Sequence, residues 1–95
     1  MSTATMQSLQ PQLISCLNKI NWRINWCEAQ QHLETVTRKE CTAWWAEEAG
    51  LMDALLGRDR TAFMLAEYRS EAMRYLRGLH DGQTLLSLQD CNCQR

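Results

Sequence analysis

The sequence predicts an all-α fold, an antiparallel three-helix bundle or helical hairpin that self-associates. Apolar residues recur at helical spacing in three segments. Good helix formers (Ala, Leu, Glu, Arg, Gln and Met) dominate, with one Pro and four Gly in the chain. One segment boundary, Thr37-Arg38-Lys39-Glu40, carries a complete helix-start signature.

The first helix is expected over about 11–34. Pro11 suits a first helical position, because its missing N–H has no intrahelical partner there anyway. Leu13, Leu17, Ile20, Ile24 and Cys27 then follow at steps of four, three, four and three, a heptad-like seam. Ile14, Trp22, Trp26 and Leu33 fall off that seam and widen the apolar face. Thr35-Val36-Thr37 marks the break.

A second helix is expected over 38–56. The Thr37 hydroxyl can bond the amide three residues on while Glu40 reaches back, and Val36 can staple against Cys41. Cys41, Trp45, Met52 and Leu55 continue an apolar seam interrupted by Glu48, with Trp44 and Leu51 on an adjacent stripe. Gly57 provides a left-handed C-terminal cap.

The third helix is expected over 60–80, with Asp59 as N-cap and Gly82 as C-cap. Leu65, Tyr68, Ala72, Tyr75 or Leu76, and Leu79 line one face. The short Gly57-Arg58-Asp59 loop makes the second and third helices antiparallel neighbours. Residues 1–82 form one helical domain, and the tail 83–95 is expected to dock or fray.

Composition restricts function. The chain has 95 residues, 45% of them hydrophobic and 22% charged, too apolar for disorder. Its formal charge is −1, which argues against phosphate-driven nucleic-acid binding. The N-terminus lacks the basic and apolar regions of a signal peptide, and no apolar run approaches a membrane span. A cytosolic protein with mainly reduced thiols is expected, and membrane association is not.

No catalytic or metal centre is expected. Cys91-Asn92-Cys93 has the wrong spacing for zinc and lacks a second ligand pair. Cys16, Cys27 and Cys41 lie on or near apolar faces, and His32 is five residues from Cys27, off the same helix face. Glu47-Glu48 and Glu67/Glu71 are expected on solvated faces, with Glu67 and Glu71 repelling at i,i+4. The chain is therefore expected to be neither an enzyme nor a cofactor carrier.

Four tryptophans in so short a chain point to a protein interface or homodimer seam, with a wide core as the alternative reading. A small three-helix core cannot easily cover both the Trp22/Trp26 and Trp44/Trp45 stripes, and adjacent Trp44 and Trp45 must diverge by about 100°. The candidate partner- or self-binding residues are Trp22, Trp26, Trp44, Trp45, Met52, Tyr68 and Tyr75.

Three stretches, Ile20-Asn21-Trp22-Arg23-Ile24-Asn25-Trp26-Cys27-Glu28-Ala29-Gln30, Val36–Ala49 with its Trp44-Trp45 pair, and Ala66-Glu67-Tyr68-Arg69-Ser70-Glu71-Ala72-Met73-Arg74-Tyr75, resemble the derepression (epsilon, antirepressor) proteins of satellite coliphages. The resemblance covers about residues 9–82. It implies an antirepressor in the bacterial cytosol that binds a helper prophage's immunity repressor, by sequestration or by distortion of its dimer. Direct nucleic-acid contact is not expected, and a homo-oligomer is. A small DNA-binding regulator and a phage-encoded inhibitor of a host enzyme are the alternative readings.

Overall fold

A computed structural model describes the backbone of residues 11–93 and the side chains of residues 18–88. The described residues form four helices, α1 (Pro11–Gln31), α2 (Arg38–Leu56), α3 (Thr61–Glu67) and α4 (Ala72–Cys93). The fold is all-α, and no strand occurs among the described residues.

α1 stops three residues short of its expected end. The His32 N–H bonds the Ala29 carbonyl at 3.1 Å and the Val36 N–H bonds the Leu33 carbonyl at 3.2 Å, so 32–37 is turn. Thr37 must be extended, at φ −82 and ψ 164, to cap the next helix, so the preceding chain cannot stay helical. Both halves of the capping box form: Glu40 N–H to Thr37 Oγ1 at 3.1 Å, and Thr37 N–H to Glu40 Oε1 at 3.0 Å. α2 ends at Gly57, which takes φ 67 and ψ 31. Asp59 sits one residue ahead of its expected role. Its Oδ1 accepts the Thr61 N–H at 2.9 Å, while Arg60 occupies the cap position.

The third predicted helix is two helices. The chain leaves α3 at Tyr68, with φ −135 and ψ 55, and turns through Arg69 and Ser70 before α4 begins. No Gly or Pro marks the break; tertiary packing makes it. The turn buries Met64, brings Tyr68 onto Trp45 and Phe63, and separates Glu67 from Glu71 in the helical register. The antiparallel return expected after Gly57 is thus made by α3 alone, from Arg60 beside Asp53 to Tyr68 beside Trp45.

α4 then runs in the same sense as α2. Arg74 reaches Glu47, Gly78 lies against Glu47 and Leu51, and Gly82 lies against Leu51 and Ala54. Gly82 is therefore an internal contact glycine, not a cap, and the tail expected to dock or fray is helical to Cys93. α1 runs antiparallel to both: Arg23 and Cys27 meet Glu47, Gln31 meets Glu48 and Cys41, and Arg23 also meets Asp81.

The α2–α4 crossing is the centre of the fold. Ala46, Ala54, Met64, Ala72, Tyr75 and Leu79 form its buried cluster, with Trp45, Ala49 and Leu76 packed around it. Ile20, Cys27 and Leu51 are also fully buried. Each large side chain hidden in this way stabilises the fold by about 1.5–3 kcal/mol. Leu13 and Leu17 of the predicted seam, and the thiols of Cys16, Cys91 and Cys93, lie outside the described side chains.

The molecule is elongated. Its radius of gyration is 15.6 Å, against about 12 Å for a compact globule of this length. Helices of 21 and 22 residues each exceed about 30 Å, and only part of that length crosses α2. No described helix is long and apolar enough to cross a membrane.

Candidate functional site

Trp22 and Trp26 stand one helical turn apart on α1, away from the buried Ile20 and Cys27. They are 62% and 47% exposed. Their rings stack on each other with centroids 5.7 Å apart and planes 17° from parallel. This stack, with Trp44, lines a groove bounded by α1, α2 and α4. The groove continues along α1 and α4 past Lys19 to Thr84 and Leu85.

The Arg74 guanidinium lies 4.3 Å from the centroid of the Trp44 ring, within cation–π range. Arg74 Nε also donates to Glu47 Oε1 at 2.7 Å. From α1, Arg23 donates to Glu47 Oε2 at 2.9 Å and pairs with Asp81 at 3.0 Å, and the Cys27 thiol donates to Glu47 Oε2 at 3.5 Å. One buried carboxylate on α2 thus ties α1 to α4 directly beneath the indoles.

Sequence spacing places Glu47 on a solvated face, yet it is buried, because α1 and α4 both bring an arginine to it. Burial alone would push its pKa up. The hydrogen bonds from Arg74 and Arg23 outweigh that and hold it below the usual carboxylate range, so Glu47 is charged at neutral pH. Cys27 moves the other way: burial, then the adjacent Glu47 charge, push its thiol up to about 12. It is packed as a neutral thiol and is no nucleophile at neutral pH.

A second polar centre lies at the far end of α2. Asp53 is fully buried and accepts hydrogen bonds from Arg58 Nε at 3.0 Å, Arg60 Nε at 2.8 Å and the Tyr75 hydroxyl at 2.7 Å. The same hydroxyl accepts the Arg60 N–H at 2.8 Å. Burial raises the Asp53 pKa less than its donors, Arg60 first, lower it. The Gly57-Arg58-Asp59 loop is locked to both α2 and α4 in this way.

Comparison with known protein families, curated proteins and solved structures finds no match to this chain.

The structure brings three of the expected binding residues, Trp22, Trp26 and Trp44, to one groove. The other four lie elsewhere. Trp45 turns to the core and packs on Tyr68, with centroids 5.2 Å apart. Tyr68 itself is partly open beside Phe63, and Met52 is exposed on α2. Tyr75 is a correction: it is fully buried, its ring in the α2–α4 cluster and its hydroxyl on Asp53, so it cannot meet a partner. Sequence reading also missed Arg23, Arg74, Arg77, Glu47 and Asp81 as groove residues. Their signal was weak. They converge only after three helices pack, and charged residues at helical spacing usually read as solvated surface.

Among the described residues no three His, Cys, Asp or Glu side chains converge as metal ligands. The groove is lined by exposed indoles with paired guanidinium groups beside them, the residue types enriched at interface hot spots.

Proposed function

We propose that this chain is an antirepressor, which binds a helper-prophage immunity repressor protein stoichiometrically and relieves its transcriptional silencing. The observation that carries this reading is the stacked Trp22–Trp26 pair, left open to solvent beside Trp44. Large apolar rings stay exposed at a cost in solvation, and such patches mark sites where another macromolecule docks. The resemblance of residues 20–30, 36–49 and 66–75 to satellite coliphage derepression proteins supplies the class of partner. Repressor dimers read operators through half-sites of fixed spacing, so clamping or skewing the dimer is enough to release DNA.

The test is a repressor–operator mobility shift. Purified protein abolishes the repressor's shift and produces none with operator DNA alone, and the Trp22→Ala/Trp26→Ala variant, with unchanged circular dichroism, loses this effect. A repressor that stays on its operator in excess protein rules the reading out.

A further inference from the structure

We propose that the groove between α1 and α4 takes an acidic polypeptide segment with apolar anchors, and that it does not pair with a second copy of itself. This deepens the reading of the chain as a protein-binding module and rests on it.

Charge carries the argument. Four cations (Lys19, Arg23, Arg74 and Arg77) line the groove against two carboxylates, Glu47 and Asp81, a local net charge of +2. The whole chain is −1, with ten basic and eleven acidic residues. The remaining six basic and nine acidic groups therefore carry −3. The positive charge belongs to this face and not to the protein at large.

The internal carboxylates are already engaged. Glu47 is shared by Arg23 and Arg74, and Asp81 pairs with Arg23. Lys19 on α1 and Arg77 on α4 have no ion-pair partner among the described residues. A cation without an internal partner thus stands on each of the two helices, Lys19 beside Trp22 and Arg77 in the part lined by Trp22, Trp26 and Trp44. Carboxylates meet these cations and apolar side chains meet the indoles.

A second copy is a poor occupant. Twofold dimers bring the same patch together from both subunits, so pairing through this groove would set two faces of local charge +2 against each other. Like charges brought together across an interface oppose that pairing. A single-stranded nucleic acid fits less well too. Base stacking needs open ring faces, and Trp22 and Trp26 each spend one face on the other. A backbone with a phosphate at every nucleotide would also meet the partly open Asp81 carboxylate, whereas a polypeptide can place its acidic groups at Lys19 and Arg77 alone.

The full chain, kept reduced, is used to select from a random-peptide display library, with counter-selection on Trp22→Ala/Trp26→Ala. Selected peptides are expected to be enriched in Asp and Glu alongside Leu and aromatic residues. A fluorescein-labelled copy of the best peptide is then titrated by anisotropy. Arg77→Glu and Lys19→Glu, both exposed and checked by circular dichroism, are expected to weaken it by about tenfold each, and added salt is expected to weaken it further. Several results overturn the proposal: no enriched peptide, selected peptides without acidic enrichment, affinities indifferent to both charge reversals, displacement by an equal-length oligo-dT, or a dimer in light scattering that Trp22→Ala dissolves. Acidic peptides that bind while the repressor stays on its operator leave the groove assignment standing and remove the antirepressor reading. A released repressor with charge-indifferent peptides does the reverse.

Discussion

Gly78 on α4 lies directly against the backbone carbonyl of Glu47 on α2, so that a methyl group at position 78 would have no room. A Cβ there would also stand 3.1 Å from the Leu51 nitrogen. Gly50 on the facing helix is equally tight, with Leu79 N at 2.5 Å from its hypothetical Cβ. This close crossing seats Arg74, one turn before Gly78, on the Glu47 carboxylate and over Trp44. The groove's aromatic and cationic parts are therefore set by a contact between two backbones.

Gly78→Ala should destabilise the protein although alanine is the better helix former. Propensity favours Ala by about 1 kcal/mol, but overpacking a rigid backbone contact typically costs about 1–3 kcal/mol or more. Urea denaturation monitored at 222 nm checks the sign. Gly57→Ala makes the control: nothing lies within 4 Å of its Cβ, so its expected loss of about 1 kcal/mol comes from the left-handed backbone alone.

Tyr75→Phe should cost about 1–3 kcal/mol, because it leaves the buried Asp53 carboxylate short of a donor and the Arg60 N–H short of an acceptor. Denaturant midpoints measure it. A variant as stable as the parent would show that Asp53 draws enough from Arg58 and Arg60.

Acid should unfold the protein through Glu47 and Asp53. Both have folded pKa values held below their ordinary ones, by Arg74 and Arg23 and by Arg60, Tyr75 and Arg58 respectively, against the opposing effect of burial. Their stabilisation is therefore fully present above the unfolded values, about 4.3 and 3.9, and is lost as pH falls through the lower folded values. Urea midpoints taken downward from pH 5 are expected to drop, with a shallower slope in Glu47→Gln. An identical slope in that variant would assign the acid sensitivity to other groups.

Cys27 should resist alkylation in the native protein. Its thiol is fully buried, is pushed up to about 12, and sits on Glu47. Iodoacetamide at pH 8 followed by mass spectrometry should label it only when urea is added. Rapid native labelling would mean that α1 opens from α2 on the labelling timescale.

Local chemistry made much of the fold legible. The Thr37/Glu40 box and Gly57 fix α2 at both ends because the groups that bond are three or four residues apart. The α3/α4 break was not legible, since Tyr68-Arg69-Ser70-Glu71 holds no Gly or Pro and the turn is imposed by Met64 and Tyr68 packing on distant residues. The same limit applies to the site. The Trp22 and Trp26 indoles, off the Leu13–Cys27 seam by their spacing, do stand exposed. Tyr75 was misplaced because an amphipathic stripe does not say which of its members faces the core.

By itself the sequence determined helical content, the limits of α2, and an excess of indole over what a small core can cover, since each depends on residues close along the chain. Only the tertiary structure decided that α4 runs with α2, that Glu47 and Asp53 are buried charges, and that the indoles share a groove with arginines. Those outcomes depend on how closely two backbones can approach, and the glycines that permit it stand on different helices.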